Sequence, residues 1–290
     1  MLTINPKDIP FTRFHGYLQG AVVPRPIAFA STIDREGGVN LSPFSFFNVF
    51  SSNPPILVFS PSRRGRDNTV KHTLENLREI PEVVINIVNY AMVEQASLTS
   101  CEFPKGVNEF MKAGLTEVSS GIVRPPRVGE SPVAMECKVN QIIELGTGGG
   151  AGNLVVCEIV LMHIKEEILD EVGRIDQFKI DAVARMGGDY YLRAQRDAIF
   201  EVAKPNQNIG LGFDQLPERI RKSPVLTGND LGKLANEEKL PDANAIAEWA
   251  KLPEVASAVK GGEKSVHELA KKYLSAGKVV DAWKTLLASA

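Results

Sequence analysis

The sequence predicts a mainly β fold with a few helices, followed by a helical extension at the C-terminus. Through about residue 195, short segments rich in β-branched residues alternate with Pro and Gly turns. Together these segments favour an antiparallel barrel over a βαβ repeat. After about residue 200 the sequence changes to helix-forming segments. We therefore predict a barrel domain over residues 1–200 and a helical extension over residues 201–290.

Five segments of the barrel domain are predicted strands. They are PIAFASTI (26–33), PILVFS (55–60), VVINIV (83–88), VAMECKVNQIIEL (133–145) and NLVVCEIVLMHI (153–164). The last two are separated by GTGGGAG and alternate in part, which predicts a hairpin with one face in the core. Gly146, Gly148 and Ala151 also satisfy the dinucleotide-binding pattern G-x-G-x-x-A. That pattern requires a helix next, and because a strand follows here the hairpin interpretation is favoured.

Helical periodicity interrupts the strands. Apolar residues recur at helical spacing in 66–82, which predicts a helix that begins between residues 67 and 73 and ends at Pro81. Shorter helices are predicted within 91–100 and 107–114. In the extension, one apolar stripe is formed by Val266, Leu269, Ala270 and Leu274. We expect this stripe to pack on the barrel or on a second subunit.

Composition and charge exclude several classes of function. The 290 residues carry 33 Lys and Arg against 35 Asp and Glu, so the net charge of -2 attracts neither nucleic acid nor an anionic membrane. The N-terminus has no basic region followed by an apolar run, and no segment approaches a membrane span, which predicts a cytoplasmic protein. The three cysteines are unclustered and interpreted as reduced core thiols. The four histidines show no metal-ligand spacing, so no metal site is predicted.

A local cationic segment stands out at residues 61–73, PSRRGRDNTVKHT. It holds Arg63, Arg64, Arg66 and Lys71 against Asp67 alone, a local balance of +3. The segment lies between a predicted strand and the start of a predicted helix, where amide N–H groups and basic side chains favour a phosphate. A solvated loop with ordinary surface arginines remains the alternative interpretation.

A second unusual segment is NLSPFSFFNVFSSNPP, residues 40–55. We expect Pro43, Pro54 and Pro55 to prevent a regular strand ladder. Serine and asparagine side chains beside large aromatic rings suit a flat heteroaromatic ligand with polar edges, although an aromatic core loop would have the same composition. A phosphorylated planar cofactor such as FMN would use both segments. Phosphate bonds at roughly 1.5 to 3 kcal/mol each supply only part of tight binding, and burial of a ring system supplies the rest.

Several motifs in matching order extend over about residues 10–195. They are PRPIAFAST, GGVNLSPFSFFNVFSSNPP, KHTLENL, VVINIV, NEFMKAGL, PPRVGESPVAMECKV and RMGGDYYLR. In these motifs the sequence resembles the flavin reductase-like family of FMN-binding split-barrel proteins, which includes flavoredoxin and the reductase components of two-component monooxygenases. The resemblance implies a split β-barrel that forms a homodimer, with FMN near the subunit interface.

The resemblance also implies the residues that contact FMN. Ser45, Phe46 and Asn48 are expected along the isoalloxazine, and Ser60, Arg66, Lys71 and Thr73 near the ribityl phosphate. Arg25 and Arg185 are further expected contacts. The family usually has an acidic residue between the Lys and the Thr, where this sequence has His72.

The activity implied by the resemblance is hydride transfer from NADH or NADPH to the flavin. Electrons then pass to free flavin, oxygen, a monooxygenase or another electron acceptor, and no general acid or base is assigned because the cofactor carries the chemistry. One alternative is a flavoredoxin-type electron-transfer protein that binds FMN without rapid NAD(P)H turnover. Another is an interaction module on a barrel without cofactor.

Overall fold

The computed structural model describes residues 1–205 and 209–289. The chain divides into two compact units, Met1–Phe200 and Glu201–Ala290. Within the described ranges, every helix is too short or too polar to traverse a lipid bilayer.

The first unit is built on one seven-stranded antiparallel sheet with two small two-stranded sheets beside it. Its strands are β1 (Ala28–Ile33), β2 (Val39–Phe44), β3 (Phe47–Ser52), β4 (Pro55–Phe59), β5 (Glu82–Ile87), β6 (Glu117–Val118), β7 (Arg127–Val128), β8 (Val133–Glu144), β9 (Asn153–Ile164), β10 (Val183–Arg185) and β11 (Tyr191–Arg193). The strand order in the large sheet is β2-β1-β5-β8-β9-β4-β3. All five predicted strands are present, and the mainly β fold class is confirmed.

The two edge strands of the large sheet, β2 and β3, are consecutive in the chain. Only Ser45 and Phe46 separate them, so their facing ends lie within about 11 Å of each other. The sheet must therefore curl until its two edges lie close together. In agreement, the ring of Phe44 on β2 contacts the ring of Phe59 on β4, the strand next to β3, with centroids 5.5 Å apart. Both rings belong to the main apolar core inside the curl. The predicted barrel is confirmed.

Residues 40–55 correct one expectation. We expected the prolines to prevent a regular ladder, but β2 and β3 both form there. Pro43 lies opposite Phe29 in β2, which is an edge strand among the described residues, so the missing N–H is tolerated there. The irregularity is confined to a bulge between Val49 and Ser51 in β3.

The helices of the first unit are α1 (Phe11–Ala21), α2 (His72–Glu79), α3 (Val93–Leu98) and α4 (Glu109–Ala113). The helix predicted to begin between residues 67 and 73 begins at His72, because Lys71 is still extended. The two shorter helices are also confirmed. Helix α1 was not predicted, since Gly16 and Gly20 lower the helix propensity of its sequence and none of its residues is buried.

The hairpin of β8 and β9 is confirmed, with Glu144 opposite Asn153 at its tip. Its strands carry Cys137 and Cys157, whose free thiols lie in the core as predicted. Cys101 is exposed, which corrects its interpretation as a core thiol. It follows α3 in the loop that leads to α4.

A buried carboxylate fastens a long loop to this hairpin. Glu136 on β8 is inaccessible to solvent and accepts hydrogen bonds from the backbone N–H groups of Gly121 (2.6 Å), Ile122 (2.7 Å) and Val123 (3.1 Å). His163 Nε2 lies 2.7 Å from the same carboxylate. Burial alone would raise the pKa of Glu136, but these hydrogen bonds outweigh it and lower the pKa to about 2.

The second unit is helical. It contains α5 (Glu218–Arg221), α6 (Gly228–Ala235), α7 (Ala243–Ala250), α8 (Pro253–Lys260), α9 (Glu263–Ser275) and α10 (Val279–Leu287). The expectation for the apolar stripe of α9 was wrong: Val266, Ala270 and Leu274 are buried in a core that the unit forms from its own helices, with Leu234 and Trp283. These helices bring enough apolar surface together to bury the stripe without another surface.

Candidate functional site

A cavity of about 570 Å³ lies in the first unit where the barrel closes. One wall is the chain between β2 and β3, another is the cationic segment 61–73, and α1 lies across it. The lining residues are Phe11, His15, Gln19, Pro43, Phe44, Ser45, Phe46, Ser60, Ser62, Arg63, Arg64, Gly65, Arg66, Lys71, Glu102 and Gly150. The cavity therefore joins the two segments that the sequence singled out, and its volume is within the usual range of small-molecule sites.

One side of the cavity is aromatic. The side chain of Phe46 is 40% exposed, which is high for a large apolar ring. His15 lies between it and Phe11: the His15 and Phe11 rings stack with centroids 5.5 Å apart, and the His15 and Phe46 rings meet edge to face at 6.4 Å. This partly open aromatic surface can take the face of a planar ligand.

The cavity is also lined by cations, and three of them already use some of their donors. Arg63 donates to Asn68, from Nε to Oδ1 and from Nη2 to the carbonyl, each at 2.6 Å. Arg64 Nε and Arg66 Nη2 both pair with the carboxylate of Glu102. Lys71 differs, because its ammonium group has no hydrogen-bond partner within residues 1–205 and 209–289 although the side chain is partly buried.

The electrostatics of Lys71 follow from this position. Burial lowers its pKa, and the neighbouring cations Arg64 and Arg66 lower it further, against an opposing effect of Glu102. A partly dehydrated ammonium group between other cations gains more from an arriving anion than an exposed lysine would. Lys71 is therefore the strongest candidate for a phosphate ligand in the cavity.

The glycine-rich tip of the β8–β9 hairpin holds the cationic segment in place. Arg63 N–H donates to the Ala151 carbonyl at 2.8 Å, and Gly150 N–H donates to the Arg63 carbonyl at 3.0 Å. A Cβ at Gly149 would lie only 3.0 Å from the Gly65 carbonyl oxygen, and one at Gly150 would overlap the Phe11 ring. Gly150 also has a φ of +84°, which favours glycine. The GTGGGAG sequence thus permits close backbone packing against the cavity wall.

Arg25 connects α1 to the cavity wall. Its Nη1 donates to the carbonyls of Gln19 (2.7 Å) and Val22 (2.6 Å) at the C-terminal end of α1, and its Nη2 donates to the Met186 carbonyl at 3.0 Å. Its Nε approaches Ser45 Oγ at 3.4 Å. Since these groups use the guanidinium, Arg25 positions α1 and Ser45 from behind the cavity and does not line it.

The structure brings together only part of the expected contact set. Ser45, Phe46, Ser60, Arg66 and Lys71 line the cavity. The Oγ atom of Ser60 already accepts a hydrogen bond from Asn153 N–H at 3.1 Å.

The other expected contacts lie elsewhere. Asn48 is exposed on β3, outside the lining. Thr73 is buried and lines an adjoining space of about 20 Å³, which shares Lys71 with the cavity, and it accepts a hydrogen bond from Asn40 Nδ2 at 2.9 Å. His72 lines the same small space, and burial lowers its pKa. Arg185 pairs with Arg25 through the backbone and its side chain lies over the Tyr191 ring.

Sequence reasoning missed the residues that α1 and the loop after α3 contribute. Phe11, His15 and Gln19 follow one another at a spacing of four residues, so a helix places them on one face. That spacing was a usable signal. Glu102 had no such signal, because an acidic residue in a loop is ordinary in sequence and only the fold brings it to the arginines.

The second unit holds a larger surface cleft of about 790 Å³. It is lined mainly by the segment 236–242, in which four residues are charged, together with Trp283. The indole N–H of Trp283 already donates to the Leu234 carbonyl at 3.0 Å. This cleft lacks the pairing of an apolar wall with convergent polar groups that ligand sites need.

Comparisons with known proteins agree with this geometry. A protein of Aquifex aeolicus (strain VF5) is 41% identical over 175 residues, which are 60% of this chain and 87% of that protein. The structure of nitrilotriacetate monooxygenase component B from Bacillus cereus aligns with a TM-score of 0.65 and 30% identity, over 70% of this chain and 98% of that one. The structure of 2-nitrobenzoate 2-nitroreductase from Pseudomonas fluorescens aligns with a TM-score of 0.62 and 28% identity, over 70% and 96%. A family model described as flavin reductase like domain matches residues 20–178, more than half of the chain, and the chain therefore belongs to the flavin reductase-like family.

Proposed function

We propose that the protein binds FMN in the cavity beside α1 and works as an NAD(P)H:flavin oxidoreductase. The observation that carries the proposal is the pairing, in one cavity, of an open aromatic wall with a partly buried lysine that has no partner within residues 1–205 and 209–289. A flavin mononucleotide has both complementary parts, a flat ring system and an anionic tail. Membership of the flavin reductase-like family supports the same ligand.

The lining residues fit this ligand in two groups. Phe46 and Ser45 offer a ring face and a hydroxyl to the flavin, while Lys71, Arg66 and Ser60 lie on the side suited to the phosphate. The bound flavin would supply the hydride chemistry. The residues of the chain would orient the ring, neutralise the phosphate and leave one ring face open.

We further propose a homodimer. On the edge strand β3, Val49 and Phe50 are 60% and 69% exposed beside Asn48. An exposed apolar edge strand is a surface that proteins usually cover. A second copy there would bury both side chains and bring Asn48 into an interface. Asn48, Thr73 and Arg185 stay proposed as flavin contacts in that assembly.

The named relatives support a role in passing electrons onward. One is a component of a monooxygenase and the other a nitroreductase. We propose that electrons leave this protein for free flavin, oxygen or a partner such as a monooxygenase. A cytoplasmic location remains a prediction from the sequence.

The deciding experiment is carried out on the purified full-length protein. We expect FMN to bind in an equilibrium fluorescence titration, and steady-state oxidation of NADH or NADPH to increase with added FMN. Flavin binding without turnover of either nucleotide would favour the electron-transfer protein. The absence of flavin binding would contradict both functions. A monomer mass by light scattering at micromolar concentration would contradict the dimer.

A further inference from the structure

One carboxylate lies among the cations of the cavity. Glu102 is in the loop after α3, and its side chain is 37% exposed. Its Oε1 is 3.2 Å from Arg64 Nε, and its other oxygen pairs with Arg66 Nη2. Among the residues that line the cavity it is the only acidic one, against four cations.

Glu102 contacts one donor nitrogen on each of two arginines of the cavity. Arg64 Nη1 donates to Thr69 Oγ1 at 2.8 Å and to the Val70 carbonyl at 2.5 Å, and its Nε faces Glu102. Arg66 is shared between Asp67 and Glu102. A phosphate that arrives beside Lys71 therefore competes with a carboxylate for the positive charge of the same two arginines.

We propose that Glu102 sets the lifetime of the bound flavin by competing with its phosphate for Arg64 and Arg66. The site then releases FMN between turnovers, so FMN is a diffusing substrate of this protein and not a permanently held group. This inference rests on the proposed function and specifies how the flavin is used. Without the competing carboxylate, Arg64 and Arg66 would be free to hold a dianionic phosphate together with Lys71.

The inference distinguishes flavins by their phosphate. Glu102 opposes only the anionic tail, so riboflavin, which has the same ring system and no phosphate, does not compete with it. Glu102→Gln keeps the shape of the side chain and one acceptor oxygen, so the loop stays in place while the charge is lost. A matched control is Glu75→Gln, which removes a carboxylate of the nearby helix α2 that pairs with Lys105 at 3.7 Å and does not line the cavity.

The experiment measures FMN and riboflavin dissociation constants by flavin fluorescence, and FMN retention after desalting, for the full-length parent and both variants. We expect Glu102→Gln to bind FMN about tenfold more tightly, which corresponds to about 1.4 kcal/mol, and to retain it on desalting. Riboflavin affinity should stay within about twofold. The parent and Glu75→Gln should lose FMN on desalting. A circular dichroism spectrum and thermal melt like those of the parent establish that each variant is folded.

Three outcomes would overturn the inference. FMN affinity that is unchanged in Glu102→Gln would show that no competition exists, and weaker FMN binding would show that Glu102 holds the arginines in place for the ligand. A parent protein that keeps FMN through desalting would contradict exchange. In each case flavin still binds and the proposed function stands. A parent that binds neither flavin would instead refute the proposed function itself.

Discussion

Replacement of Lys71 by Met tests the anion site directly. Methionine keeps the apolar stem of the side chain and removes the ammonium group. A hydrogen bond to a charged group contributes about 1.5 to 3 kcal/mol, and each 1.4 kcal/mol is a factor of ten in affinity. Because Lys71 has no competing partner in residues 1–205 and 209–289, most of this contribution should be lost. We expect the dissociation constant for FMN to rise by roughly 10- to 150-fold.

The same substitution should not destabilise the fold. Burial and nearby arginines lower the pKa of Lys71, so the charged form is less favourable in the folded chain than in the unfolded chain. We expect the melting temperature of Lys71→Met to equal or exceed that of the parent. This combination of weaker binding and undiminished stability distinguishes a ligand-binding lysine from a structural one.

Fluorescence titrations with FMN and riboflavin provide the assay. Riboflavin affinity should be unchanged, since the lost contact is to phosphate. Lys105→Met is the matched control: it removes a lysine of a nearby exposed ion pair, and FMN affinity should stay as in the parent. Equal loss of FMN and riboflavin affinity, or no loss of either, would refute the assignment of Lys71.

The remaining predictions concern the supports of the site and of the fold. Arg25→Ala should weaken both FMN and riboflavin several-fold, because the carbonyls at the end of α1 lose their common donor; a phosphate-selective loss would instead make Arg25 a direct ligand. Gly150→Ala should displace Phe11 and weaken the binding of riboflavin as well as FMN. The control is Gly148→Ala, which has open space around its Cβ position and should bind both flavins like the parent. Equal dissociation constants for the two variants would contradict this. Glu136→Gln should cost on the order of 2 kcal/mol in denaturant unfolding, because an amide N–H₂ would face backbone donors. Since the folded pKa of Glu136 is about 2, the parent should lose this contribution as pH falls from about 4.5 towards 2, and the variant should show a flatter profile over that range.

The sequence predicted those strands and helices whose periodicity and turn residues lie within a short segment. The β8–β9 hairpin and helix α2 follow from alternation, helical periodicity and turn residues within a few positions. Pro43 misled because its effect depends on whether β2 is a central or an edge strand, which only the complete sheet decides. Helix α1 was missed although Phe11, Phe14 and Leu18 recur at helical spacing, because Gly16 and Gly20 lower the helix propensity of the segment.

For the site, the sequence predicted the two segments that line the cavity but not the contacts between residues far apart in the chain. The cationic segment and the aromatic segment are each visible as composition, and the fold brings them to one cavity. The pairing of Arg66 with Glu102 joins positions 36 residues apart and could not be read from either neighbourhood. The function of Arg25 likewise depends on its contact with Met186, 161 residues away.

The two-residue link of Ser45 and Phe46 makes formation of the cavity depend on closure of the sheet. It connects the two edge strands of the curled sheet, β2 and β3, directly, and both of its residues line the cavity. A partly folded chain whose sheet is still open therefore lacks the cavity altogether. Ligand should bind only to chains in which the sheet has closed. Raising the ligand concentration should therefore protect the Ser45–Phe46 link from unfolding and proteolysis, and the protection should keep increasing with the logarithm of concentration above the dissociation constant.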